Sequence, residues 1–243
     1  MFYQYREKKY YCGNYLEIDI YPILRKSLSR KRKARPTTAT QAKLNQHNAE
    51  QKLIRLLNTN FTEDDIRFDL TYEPRYLPKS DEQAARELQN FLRRLKRHRK
   101  KLRLPDLKYV AVTEAGKKGG RYHHHLVING GVEIKTLAKI WGKGYTTVKP
   151  LQFDNYGVAG IAKYLIKEPL SGKRWNASKN LKQPKTTTMD GRLSSKKVKE
   201  LHKTSDDVKI FEKLYKDYTF VECKPFYNEI NGGYYLCIHM YKT

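Results

Sequence analysis

Thr113 to Ile128 reads TEAGKKGGRYHHHLVI, and the fold follows from how this stretch is read. Tyr109 to Glu114 and Tyr122 to Ile128 are rich in β-branched and aromatic residues on either side of a Gly/Lys turn. They read as two strands of a hairpin. Side chains alternate between the faces of a strand, so His123 and His125 point the same way and His124 points to the other side. Glu114, at the end of the preceding strand, can reach the face of the imidazole pair. Two histidines and a carboxylate with open positions form a donor set for a divalent cation. Asp69 or Glu73 is an alternative carboxylate for the third place.

Farther along, Gly160 to Pro169 reads GIAKYLIKEP and has helical periodicity. With Val158 as reference and about 100° per residue, Ile161, Ala162 and Leu165 fall on one side. Gly160, Lys163, Tyr164 and Lys167 fall opposite. The apolar stripe belongs in a core, and the other face presents a phenol flanked by two ammonium groups. A tyrosine phenol titrates near 10, so only about one part in a thousand is phenolate at neutral pH. A nearby cation favours the charged form, and Lys163 or Lys167 can supply it or assist a leaving oxygen. A metal, a tyrosine and lysines are the ingredients for attacking a phosphodiester.

His-x-His after a strand, followed by Tyr-x-x-Lys at Tyr164 and Lys167, resembles the HUH endonucleases of rolling-circle replication. Phe68 to Pro74, FDLTYEP, resembles that family's first motif. Ile140 to Val148, IWGKGYTTV, followed by AGIAKYLIK, is similar to the replication proteins of small single-stranded DNA phages and related Gram-positive elements. The resemblance runs from about Phe61 to Pro169. It implies that His123, His125 and Glu114 hold Mg²⁺ or Mn²⁺ and that Tyr164 attacks single-stranded origin DNA. The products would be a 5′-phosphotyrosine and a free 3′-hydroxyl, and the strand could be rejoined without ATP. Some relatives carry two tyrosines one turn apart. Gly160 stands at the earlier position here, so Tyr164 is the single helical candidate, with Tyr156 a lesser one. No Gly-x-x-x-x-Gly-Lys-Ser/Thr occurs, so such an initiator would borrow a host helicase, and a host polymerase would extend the 3′ end.

Lys and Arg outnumber Asp and Glu by 50 to 25 in 243 residues, a formal charge of +25. A chain this basic is expected to bind a polyanion, most often nucleic acid. Nineteen tyrosines interleaved with the cations suit base stacking beside phosphate contacts. Candidate DNA contacts are Arg30, Lys31, Arg32 and Lys33 in a basic arm, and Thr71 and Tyr72 at the end of a strand. Arg93, Arg94, Arg97, Lys100 and Lys101 follow on the outer side of a helix, then Arg121 in the hairpin, and Arg174 with Trp175 beyond the tyrosine helix. Cys12, Cys223 and Cys237 are scattered and odd in number, so no disulfide framework or zinc spacing follows. No apolar run approaches a membrane span and the start lacks a signal-peptide core. The chain reads as a cytoplasmic bacterial protein carried by a plasmid or phage.

The order strand, helix, strand, strand, helix, strand, helix from Ile66 to the tyrosine helix predicts an α+β fold. A central antiparallel sheet would carry helices on one face, as in RNA-recognition-type folds. Ser80 or Asp81 caps a helix with Ala84, Leu88, Phe91 or Leu92, and Leu95 inward. Glu133 to Trp141 forms another, and Tyr145 to Leu151 a strand. Outside this core, Tyr10 to Tyr21 reads as one strand, and a helix from Thr40 to about Asn58 packs on the core. Lys196 to Tyr218 is partly helical, and Thr219 to Phe226 with Tyr234 to Tyr241 form a hairpin about Asn231. His202 and His239 read as isolated. The chain divides into a basic N-terminal segment (1–60), a nuclease core (61–170) and a C-terminal extension (171–243) packed on it. Competing functions are a transposase or relaxase of the same chemistry, and a non-catalytic nucleic-acid-binding protein.

Overall fold

The computed structural model describes residues 4–23, 39–115, 121–165 and 174–242, with backbone alone for 39–41. In chain order these form β1 (Tyr5–Cys12), β2 (Tyr15–Pro22), α1 (Ala39–Asn60), β3 (Ile66–Leu70), α2 (Asp81–Lys101), β4 (Tyr109–Ala115), β5 (Tyr122–Ile128), α3 (Ile134–Trp141), β6 (Thr146–Pro150), α4 (Ala159–Leu165), β7 (Asn176–Ala177), β8 (Lys185–Asp190), α5 (Ser195–Lys203), α6 (Val208–Leu214), β9 (Tyr218–Asn228) and β10 (Gly233–Lys242). A short 3-10 helix, Pro74–Tyr76, follows β3. The strands make two five-stranded antiparallel sheets, so the α+β class expected from the sequence is the one observed. The chain divides into two compact units. One gathers residues 1–59, 154–157 and 183–243; the other gathers 60–153 and 158–182.

The second unit is built on the sheet β6-β3-β5-β4-β7. Phe68, Leu126 and Ala111 pair across its three central strands, as do Ile66, Ile128 and Tyr109. These residues face α2 and α3. The Ser80 hydroxyl caps α2 by accepting the Gln83 amide at 3.2 Å. A cap of this kind is worth about 1 kcal/mol. The helix then buries Ala84, Leu88, Phe91, Leu92 and Leu95, four of them against the sheet. Each large side chain so buried contributes roughly 1.5–3 kcal/mol. Trp141, at the end of α3, is enclosed, and its indole N–H donates to the Thr71 carbonyl at 2.8 Å. Gly142 ends α3 at φ 61. The chain then runs so close to β3 that a Cβ on Gly144 would stand 2.4 Å from the Thr71 carbonyl oxygen. Alternation sends Arg67, Asp69, Val112, Glu114, His123 and His125 to the other face, where α4 lies.

The first unit is built on β8-β1-β2-β10-β9. Leu16, Ile18 and Ile20 of β2 and Leu236, Ile238 and Met240 of β10 make an apolar face, covered by Val198 and Leu201 of α5 and Phe211 of α6. Three expectations change here. Tyr10 to Tyr21 is not one strand but parts of two, because Gly13 turns the chain at φ +63, with a Cβ there only 2.5 Å from the Asn58 carbonyl oxygen. The segments before and after the nuclease core are not separate pieces, because β2 of the one pairs with β10 of the other. And α1 belongs to this first unit, where Arg55 pairs with Glu17.

Candidate active site

The second unit places its polar side chains by strand register. Asp69 on β3 is opposite His125 on β5, and His123 is opposite Glu114 on β4. All four therefore share the face away from α2 and α3, as alternation along Tyr122 to Ile128 predicts. The His125 ring is held at both nitrogens. Nδ1 lies 2.7 Å from Asp69 Oδ1, and Nε2 lies 3.5 Å from Glu114 Oε2. A carboxylate behind Nδ1, with Nε2 turned toward a second carboxylate, is the arrangement common in metal-binding histidines. Burial, then the neighbouring His125, keeps the His123 imidazole below its ordinary range, in the neutral form a ligand needs. The donor types suit a divalent cation. Their atoms are not gathered to within 4.8 Å of one another in the described structure.

His124 has a different role. It is fully buried, its Nε2 is 2.6 Å from the Tyr72 hydroxyl and its Nδ1 2.9 Å from the Thr113 hydroxyl. Its ring packs edge-on to Trp141 and Tyr72. Burial, then the two flanking imidazoles, push it down to about 3. The three histidines thus divide between a polar face and a core. Tyr72, only 3 % exposed, belongs to that core, which removes it from the DNA contacts expected from the sequence.

Tyr164 reaches the polar face from α4. That helix is anchored by Ala162 and Leu165, both fully buried, as the helical periodicity requires. The Tyr164 ring, 38 % exposed, meets the His125 ring with centroids 5.2 Å apart and planes at 81°. The cation beside the phenol is one the sequence reading did not select. Arg67 places its guanidinium carbon 4.0 Å from the centre of the Tyr164 ring, and its Nη2 donates to Asp69 at 2.7 Å. Burial opposes charge on Asp69, but the hydrogen bonds from His125 and Arg67 prevail and hold the carboxyl below its usual range. Asp69 thereby ties Arg67 to His125. The sequence signal was present in the alternation of Arg67 and Asp69 with Ile66, Phe68 and Leu70. Lys163 is exposed on α4, and Lys167 lies outside the described residues. Glu73 pairs with Arg75. Tyr156 lies in the first unit against His239, and burial together with Glu222 raises its phenol, against a nucleophilic role.

The expected DNA contacts separate as well. Arg97 and Lys100 line a cleft of about 540 Å³ together with Lys96, Lys179 and Tyr109. Arg93 and Lys101 are exposed on α2, and Arg121 is exposed two residues before His123. Arg94 instead donates to the carbonyls of Ile140, at 3.1 Å, and Trp141, at 3.4 Å, and so holds the end of α3. Thr71 is half-buried, with its hydroxyl on the Tyr145 carbonyl at 3.1 Å. Arg174 and Trp175 are half-buried. Arg30, Lys31, Arg32 and Lys33 lie outside the described residues.

Residues 66–169 match the model of a family of replication-associated proteins, the ORF2 type. That span contains every residue of the polar face and α4. No curated protein and no solved structure matches the chain. The match supports a part in replication. No helix among the described residues is long and apolar enough to cross a membrane.

Proposed function

We propose that the chain is a replication initiator that nicks and rejoins one strand of origin DNA through Tyr164. The observation that carries this reading is the meeting of Tyr164, Arg67, Asp69, His125 and Glu114 on one sheet face, within the span that matches a replication-associated family. The Tyr164 hydroxyl oxygen attacks phosphorus and the bond to the 3′ oxygen breaks. The phenol gives up a proton and the departing oxygen takes one, so one phosphodiester is exchanged for another and the step is reversible. Arg67 supplies positive charge beside the phenol, and Lys163 or Lys167 would assist the departing oxygen. Asp69 orients both Arg67 and His125. His123, His125 and Glu114 would hold Mg²⁺ or Mn²⁺, which when bound supplies Lewis-acid polarisation of a phosphate oxygen. The cations around the α2 cleft would guide the single strand through phosphate contacts.

The test is covalent trapping. Purified protein with Mn²⁺ and single-stranded origin DNA should give an adduct that survives denaturant and disappears in Tyr164→Phe. Equal DNA binding by both proteins, with an adduct from neither, would favour a non-catalytic binding protein instead. Rejoining at an unrelated acceptor end, rather than at the origin, would favour a transposase.

A further inference from the structure

The first sheet has a polar face opposite its apolar one, and strand register fills it with metal-binding side chains. Cys237 and His239, two residues apart on β10, point the same way. Across from them stand Asp19 and Glu17 on β2, and Lys224 and Glu222 on β9. One donor atom each from Glu17, Cys237 and His239 lies within 4.8 Å of the others. Cys237 Sγ is 3.9 Å from Glu17 Oε1 and 3.9 Å from His239 Nε2. The other nitrogen of His239, Nδ1, is 3.1 Å from Glu222 Oε1, which turns Nε2 toward the thiol. A carboxylate behind the far nitrogen is how metal-binding histidines are commonly oriented.

We propose that this face binds a zinc-class transition-metal ion, with the Cys237 thiolate, His239 Nε2 and Glu17 as ligands and Asp19 at hand as a fourth oxygen donor. A thiolate, an imidazole and a carboxylate suit zinc and exclude a preference for magnesium, which takes oxygen ligands. The local charge agrees. Arg55 pairs with Glu17 and reaches Asp19 only at 3.4 Å, while Lys224 is paired to Glu222. Entry of a divalent cation displaces the Cys237 proton to solvent. The residues line a cleft of about 780 Å³, which gives an ion a way in. This site is independent of Tyr164. The scattered cysteines hide it, because its ligands come from β2 and β10 and meet only through strand pairing.

Cobalt is the probe. Metal-free full-length protein titrated with Co²⁺ should develop a sulfur-to-cobalt charge-transfer band in the near ultraviolet whose amplitude corresponds to one thiolate-bound ion per chain, bleached by Zn²⁺. The band should vanish in Cys237→Ser, weaken in His239→Gln, and persist in the His123→Ala, His125→Ala double variant, whose candidate site contains no sulfur. In the His123→Ala, His125→Ala background, Zn²⁺ should raise the thermal midpoint, and adding His239→Gln should leave it nearly unmoved, a reading that decides the matter should Cys237→Ser not fold. Absence of the band in the wild type, its survival in folded Cys237→Ser, or an equal Zn²⁺ effect with and without His239→Gln in that background would overturn the proposal.

Discussion

Arg67 lies over the ring of Tyr164 with 4.0 Å between guanidinium carbon and ring centre, and the same guanidinium is anchored by Asp69. The strand thus fixes a permanent charge beside the phenol. A planar guanidinium also suits both tasks at once, stacking on the ring and bonding the carboxylate in its plane.

Replacing Arg67 by Ala should therefore slow adduct formation by about 100-fold, the order of loss when a contact that positions a reacting group is removed. Single-stranded DNA binding should change much less. An adduct rate equal to wild type would place the role of Arg67 in packing alone.

Asp69→Asn keeps the shape of the side chain and removes the charge that holds Arg67 and His125. Loss of such a supporting carboxylate commonly costs about 10- to 100-fold in metal affinity. The Mn²⁺ concentration giving half-maximal nicking should rise by that factor. DNA binding without Mn²⁺ should be unaltered.

Substituting Lys96, Arg97 and Lys100 together by Ala should weaken single-stranded DNA binding of every sequence alike. The slope of log affinity against log salt should fall by about 0.7 for each phosphate no longer neutralised. Thermal stability should stay within about 0.5 kcal/mol per site, as is usual for exposed positions. An unchanged slope would take the α2 cleft out of the strand's path.

His124 gives the fold an acid limit. Its folded value of about 3 lies below the ordinary histidine value of about 6.5. Between those values the unfolded chain carries the extra proton, so this contribution to stability is complete above about 6.5 and is lost as pH falls toward 3. The thermal midpoint should decline across that window. In His124→Phe the decline should be shallower, although the protein should be less stable at neutral pH because the Tyr72 and Thr113 hydroxyls lose a partner, at about 1–3 kcal/mol for each buried group left unmade.

Local signals carried the second unit well. The period of two around His123 and His125, the period of 3.6 around Tyr164 and the Ser80 cap each specify one element, and each element formed where its pattern lay. Tyr164 lies beside His125, with ring centroids 5.2 Å apart. Arg67 escaped notice because its importance comes from β3 lying next to β5, which no local pattern states. The first unit was less accessible for the same reason on a larger scale. Gly13 interrupts what alternation alone reads as a single strand, and the pairing of Glu17 with His239 joins opposite ends of the sequence. Tyr72, a possible DNA contact by its place at a strand end, is enclosed by His124 and Trp141, neighbours that only the folded sheet brings to it.

The adjacency of β2 and β10 also sets a timetable for synthesis. Strands β3 to β6 leave the ribosome in one run and can pair with one another at once, whereas the β1–β2 hairpin precedes them and keeps both flanks bare, that of β1 until β8 arrives and that of β2 until β10 does. An open flank of this kind invites pairing with the wrong chain. Completion of this sheet therefore waits on the far end of the chain, while the other sheet has its three central strands within about sixty residues of one another.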